Sequence, residues 1–296
     1  MSSFELTSLF SVKGKVVLVT GGSRGIGKMI ATGFVRNGAK ALRLLTLCSQ
    51  VYVSSRSAKD CDKTASELTA LGPGTCISLP ANLQSVQEIQ RLVSELKSRE
   101  QVLDVLINNA GAAWGESVDT HSDDGFTKVI TLNLQRVFTL TQALLPLLRA
   151  SAAKSKDGRT HKDPARIINI GSIEGLGVPD HETYAYAAAK AGLHQLSRHL
   201  AGRLGREGIT SNTIACGLFI TKSASMDYLE FLTAYTAQTE EGKGWLDNIP
   251  LRRSGTPEDV AGTAIYLASP ASAYVNGATL TLDGGNLVNM PSQSKL

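Results

Sequence analysis

KVVLVTGGSRGIG, residues 15–27, is the stretch whose reading decides the fold. Lys15 to Thr20 is short, apolar and rich in β-branched residues, as a buried strand requires. A glycine turn follows, and a helical pattern sets in around Ile26. Strand, glycine turn and helix together open a nucleotide-binding βαβ unit. Gly21 permits the tight turn, Gly25 lets the backbone approach a pyrophosphate, and Gly27 allows close packing of helix on strand. Ser23, Arg24 and Ile26 complete a loop whose phosphates would meet the helix N-terminus. The spacing is G-x-x-x-G-x-G, and not the G-x-G-x-x-G of larger dinucleotide-binding enzymes. A loop that merely turns the chain is the plain alternative, but the flanking patterns argue against it.

Outward from this unit, apolar runs and helical periodicities alternate. Strands are predicted at 15–20, 51–55, 75–79, 103–107, 166–171, 209–214 and 279–282, with helices at about 25–37, 58–71, 85–100, 123–150, 184–206 and 257–268. Such alternation implies an α/β fold, a doubly wound parallel sheet of about seven strands with helices on both faces. Ligands then lie beyond the strand C-terminal ends, where Gly21, Ser54, Asn82, Asn108 and Ser172 fall. No linker or repeat divides the 296 residues, so one domain is expected.

Further along, Tyr186 and Lys190 stand four residues apart in Y-A-A-A-K, which places both on one helix face. A free phenol titrates near ~10, and a neighbouring ammonium favours the phenolate and lowers that value. The pair is a proton donor in waiting. Tyr184 is a rival acid, but four residues beyond it stands Ala188 in place of a lysine.

With these motifs in order, the chain resembles the short-chain dehydrogenase/reductase family in its single-domain Rossmann form. The resemblance runs from about Gly14 to Asn286 and rests on TGGSRGIG at 20–27, NNAG at 108–111, Asn133 in TLNL, Ser172 in INIGS, Tyr186 with Lys190, and DGG at 283–285. It implies that Tyr186 protonates a carbonyl oxygen as hydride arrives from a nicotinamide, or accepts the proton in reverse. Lys190 would lower the phenol's pKa and hold the nicotinamide ribose, Ser172 would stabilise charge on the substrate oxygen, and Asn133 would hold a water linking Lys190 to solvent. Asn108, Ala110 and Gly111 resemble the turn against the adenine ribose, Asn82 stands where relatives often carry an adenine-binding Asp, and Thr221 resembles a residue on the carboxamide or pyrophosphate. ACGL at 215–218 replaces the usual P-G, so a proline restraint is lost at Cys216.

Cofactor choice is written after the second strand, in VYVSSR at 51–56. An Asp there would suit a ribose 2′-hydroxyl and repel a 2′-phosphate. This chain offers Ser54, Ser55 and Arg56, with Arg24 within the glycine loop, and guanidinium groups bind phosphate through a planar fork. NADP(H) is expected over NAD(H). Residues 41–50, ALRLLTLCSQ, delay that strand, so Gly27 lies 29 residues from Arg56 where about 20 is usual. The insert extends the first helix, loops out, or forms a rival strand at 42–47; a gene-model origin is a further reading.

Residues 218–250 concentrate Phe219, Met226, Tyr228, Phe231, Tyr235 and Trp245 in a chain only 5% aromatic. The family resemblance makes this stretch a lid over an apolar carbonyl substrate; core contacts of two small helices are the competing reading. Similarity to 3-oxoacyl reductases, the rhamnolipid-pathway type included, points to a 3-oxoacyl thioester. A cyclic or polyketide-type ketone or alcohol is the close alternative, and a non-catalytic NADP-binding protein the remote one. The basic loop of Lys154, Lys156, Arg159, His161 and Lys162 either meets a coenzyme A phosphate or is a solvated connector.

Composition closes other routes. Net charge is +4 without basic runs, which speaks against nucleic acid. Four cysteines, Cys48, Cys61, Cys76 and Cys216, show no ligand spacing, so reduced thiols and no metal are expected. No secretory pattern or membrane-spanning run is expected. Residues 1–13 read as an extension and 287–296 as a tail ending Ser294-Lys295-Leu296, the address of the peroxisomal import receptor, with a cytoplasmic location as the alternative. The family resemblance implies a homo-oligomer, dimer or tetramer, built on the helices near 123–150 and 184–206.

Overall fold

The computed structural model describes residues 4–38, 50–220 and 246–289. Seven strands form one parallel sheet: β1 (Val16–Thr20), β2 (Gln50–Ser54), β3 (Thr75–Ser78), β4 (Val105–Asn108), β5 (Ala165–Ser172), β6 (Ile209–Cys216) and β7 (Thr279–Leu282). Their order is β3-β2-β1-β4-β5-β6-β7. The chain therefore leaves β1 toward one edge and returns through β4 toward the other, which opens a crevice between the loops after β1 and β4.

The sheet is covered on both faces, as the alternating pattern predicts. Val17 and Val19 join one core with Ile30 and Phe34 of α1 (Gly25–Asn37) and with Val260 and Leu267 of α7 (Pro257–Ala268). Val16 and Leu18 point the other way, toward Leu92 and Leu96 of α3 (Val86–Arg99) and Leu140 and Leu144 of α5 (Arg136–Lys154). A five-residue strand thus feeds two cores through its period of two.

Helix starts follow local chemistry. Ser57 caps α2 (Ala58–Leu71), Ser85 caps α3, Ser122 caps α4 (Asp123–Ile130), and Thr256 forms a capping box with Asp259 on α7. Each such cap is worth roughly 1 kcal/mol. Arg24, at the start of α1, makes no side-chain cap, so the first N–H groups of that helix remain for another acceptor.

Two expectations are corrected here. Gln50 is the first residue of β2, in register with Val16, so this strand runs one residue earlier than the predicted 51–55. Gln50–Ser54 pairs with β1 on the side opposite β4, which keeps Ser54 opposite Thr20. The predicted single helix over 123–150 is instead α4, a π turn at Thr131–Gln135, and α5. Residues 39–49 and 221–245, with most of the insert, Cys48, Thr221 and the lid aromatics beyond Phe219, lie outside the described residues, as does the terminal tripeptide.

Candidate active site

The crevice is built first from backbone. Gly21 and Gly25 adopt φ of +63° and +53°, conformations that side chains resist. A Cβ at Gly27 would lie 2.3 Å from the Gly21 carbonyl oxygen, so α1 can approach the turn only through glycine. Asn109 ties the turn down: its Nδ2 donates to the Thr20 and Gly21 carbonyls at 2.9 and 3.1 Å. The Thr20 hydroxyl accepts the Asn109 and Ala110 N–H groups. A glycine loop braced this way, with uncapped N–H groups at the start of α1, fits a pyrophosphate.

The other predicted cofactor residues divide by exposure. Arg24 and Arg56 are exposed and have no carboxylate partner among the described residues. Ser55 is half-buried, with its hydroxyl 3.0 Å from the Cys61 thiol. Ser54 departs from expectation: its side chain is buried and unpaired, and its carbonyl accepts the Gly22 N–H. Its carbonyl braces the glycine loop, and Arg24, Ser55 and Arg56 remain as the predicted groups that could meet a phosphate. Asn82 is exposed, and its Oδ1 already accepts the Gln84 N–H at 3.2 Å.

Asn108 is also redirected. Its side chain is buried and donates to Asn169 Oδ1 at 2.9 Å, clamping β4 to β5. Half-buried Ala110 and exposed Gly111 are the residues of this turn that could face a ribose. A Cβ on Gly111 would lie 2.5 Å from Asn133 Oδ1. Asn133 occupies the π turn, where an extra residue in the turn rotates a side chain out of helical register. Its Nδ2 donates to the Ala112 and Val129 carbonyls, while its buried Oδ1 has no partner.

Tyr186 and Lys190 lie on α6 (Tyr184–Leu204), with Lys190 Nζ 5.3 Å from the Tyr186 ring centroid. The lysine is buried and donates to the Ile170 carbonyl at 2.7 Å. Burial lowers its pKa to about 8, opposed by Cys216 and Glu174. At neutral pH the ammonium is therefore still charged beside the phenol. Ser172 ends β5, and its Oγ accepts the Glu174 N–H at 3.2 Å, which frees its own hydrogen for a substrate oxygen.

Cys216 pairs with Ser172 across β5 and β6, and burial pushes its thiol up to about 12. Tyr184 points elsewhere: its hydroxyl lies 3.1 Å from Glu182, and burial followed by that carboxylate raises its pKa. It is not the acid.

Sequence reasoning missed Asn109, although the NNAG motif held it, and missed Trp114; the stretch 175–183 between Ser172 and Tyr186, with Leu176 and Val178, is legible in the sequence as shaping the substrate mouth. Trp114, Leu176 and Val178 are exposed on the loops after β4 and β5. The loops are joined by the Glu116 N–H on the Glu182 carbonyl at 3.1 Å, and Glu174 accepts from Thr183 at 2.5 Å. Only the fold brings these segments together. The basic loop instead precedes β5, at the opposite end of the sheet from Ser172. Lys162 pairs with Asp157 there, the arrangement of a solvated connector. Among the described residues no acid, histidine or cysteine group could hold a metal.

Comparison with known proteins matches this geometry. A family model described as enoyl-(acyl carrier protein) reductase matches residues 21–286. The chain belongs to the short-chain dehydrogenase/reductase family. It is 40% identical, over 93% of its length and 97% of the relative's, to the rhamnolipids biosynthesis 3-oxoacyl-[acyl-carrier-protein] reductase of Pseudomonas aeruginosa. Among solved structures, the Pseudomonas aeruginosa RhlG/NADP active-site complex superimposes with a TM-score of 0.81 at 39% identity, covering 94% of this chain and 98% of that one. A gluconate 5-dehydrogenase from Burkholderia cenocepacia in complex with NADP and tartrate gives 0.79 at 25% identity, covering 97% and 100%.

Proposed function

We propose that this short-chain dehydrogenase/reductase is an NADPH-dependent ketone reductase whose substrate is a 3-oxoacyl thioester. The observation that carries the reading is the buried Lys190 ammonium beside Tyr186, facing the strand end that presents Ser172. Arg24 and Arg56 fit a 2′-phosphate, the glycine loop fits the pyrophosphate, and relatives solved with NADP support that cofactor. NADPH when bound supplies the hydride. Ser172 donates to the substrate carbonyl oxygen and Tyr186 gives that oxygen its proton. Lys190 keeps a positive charge where the phenolate forms, and the unpaired Asn133 oxygen suits a water on the path by which the proton is replaced.

The exposed apolar side chains Trp114, Leu176 and Val178 on the loops after β4 and β5 suit an acyl chain, and the 3-oxoacyl relatives support the thioester. The test is NADPH oxidation with a panel of 3-oxoacyl-CoA esters and cyclic ketones, alongside Tyr186→Phe. Turnover of the thioesters that vanishes in the variant supports the proposal; turnover of cyclic ketones alone overturns the substrate, and none at all overturns the reaction.

Two further proposals stand on single features. Import into peroxisomes rests on Ser294-Lys295-Leu296, and a tagged copy that stays cytosolic refutes it. A homo-oligomer is supported by Phe126 and Phe138, exposed on α4 and α5; light scattering that finds a monomer overturns it.

A further inference from the structure

His194 lies one turn beyond Lys190 on the inner face of α6 and is buried, in a place the reaction above leaves without a role. Glycines wall its ring. A Cβ at Gly171 would lie 2.2 Å from Nε2 and 2.9 Å from Cδ2, and one at Gly175 would lie 2.9 Å from Cε1. Contacts between carbon atoms are optimal at about 3.5–4.0 Å, so neither glycine admits a methyl group while the ring stays. The two glycines bracket the turn that carries Ser172, and α6 carries Tyr186 and Lys190. The ring is thus the spacer between the two halves of the active site.

The identity of the spacer matters. Imidazole is the smallest aromatic side chain, and a six-membered ring would press further on Gly171. Neither ring nitrogen has a hydrogen-bond partner of good geometry, and the Thr213 hydroxyl lacks one too, its methyl group lying against Gly171. Poorly satisfied buried polar atoms are destabilising, so hydrogen bonding does not account for a histidine here. Burial, then the charges of Lys190 and Arg198, hold the His194 pKa to about 4 against the opposing Gly175 carbonyl. The ring is neutral at working pH and brings no second cation to Lys190.

We propose that His194 is a positioning residue for ketone reduction, its flat ring setting the separation between the Ser172 turn and the helix that carries Tyr186 and Lys190. The role rests on the reductase reading above. A misplacement of 1 Å can cost about 100-fold in rate, so the effect falls on kcat.

The test is a double-mutant cycle on the 3-oxoacyl-CoA substrate. His194→Leu is expected to lower kcat by about 10- to 100-fold while KM and the NADPH Kd stay within about twofold. Placed on Ser172→Ala, the same change is expected to cost less than about twofold, because the group it positions is gone. Equal losses in both backgrounds, or a loss in KM alone, overturn the proposal. If His194→Leu does not fold, His194→Gln takes its place.

A second arm needs no turnover. The Glu174 N–H donates to Ser172 Oγ, so hydrogen exchange over residues 172–177 should quicken in the variant while the rest of β5 and α6 keeps its protection. Unchanged exchange there overturns the positioning role. A wild-type enzyme inert toward every ketone overturns the reductase reading instead, and the exchange arm still decides the placement.

Discussion

Two tyrosines on one helix, two residues apart, meet opposite charges. Tyr184 lies beside the Glu182 carboxylate, which disfavours a phenolate, and Tyr186 lies beside the Lys190 ammonium, which favours one. Tyr186→Phe is expected to lower kcat at least about 100-fold, and Tyr184→Phe to leave it within about twofold, in steady-state NADPH oxidation. Lys190 adds a stability effect. Its pKa is about 8 in the fold and rises to the ordinary lysine value when the chain unfolds. Between those values the unfolded state binds the extra proton, so the contribution of Lys190 to stability is absent below about pH 8 and grows as pH rises. Guanidinium unfolding of the cofactor-free protein should show wild type gaining about 3 kcal/mol on Lys190→Met between pH 7 and pH 10.5.

At the scale of elements, β1 and α1 make the cofactor cradle from backbone and leave charge recognition to the loops. Arg56→Ala and Arg24→Ala should each raise the NADPH Kd by about 10- to 100-fold, since a hydrogen bond to a charged group contributes about 1.5–3 kcal/mol. The NADH Kd should not move, as fluorescence titration of both cofactors can check. Gly27→Ala should abolish binding of either, because its Cβ would meet the Gly21 carbonyl. The strands and helices were legible from residues 15–27 and from the alternation that follows, because period and glycine placement are local. The π turn was not, since TLNLQ reads as ordinary helix. Its register comes from packing Asn133 beneath Gly111.

For the whole molecule, the two ends of the sheet separate two chemistries. Ser172 and the loop at 154–162 are at opposite ends of β5, a strand about 23 Å long at 3.3 Å per residue. Lys156→Gln combined with Arg159→Gln should therefore leave the KM for a coenzyme A ester within about twofold. Acid sensitivity is expected from the interior. His194 has a pKa of about 4 folded and near its ordinary value unfolded, so its contribution to stability is full above about pH 6.5 and lost as pH falls to about 4. Urea unfolding at pH 7 and pH 4.5 should show wild type losing more stability than His194→Gln.

The sequence by itself determined the glycine turn and the strand and helix order and pointed to the Tyr186–Lys190 pair, each carried by residue type at fixed spacing, while Ser172 and Asn133 were legible through the family resemblance. Arg24 and Arg56 were legible as candidates for a 2′-phosphate because a guanidinium stands where a carboxylate would repel it. Tertiary structure alone decided which of these side chains face the crevice. It turned Ser54 and Asn108 inward as braces, because a parallel sheet buries both faces of its strands. It tied the loop after β4 to the loop after β5 through the Glu116 N–H on the Glu182 carbonyl, and it set His194 between two glycines far from it in sequence. Contacts of that kind have no local period to betray them; they exist only once strands distant in the chain lie side by side.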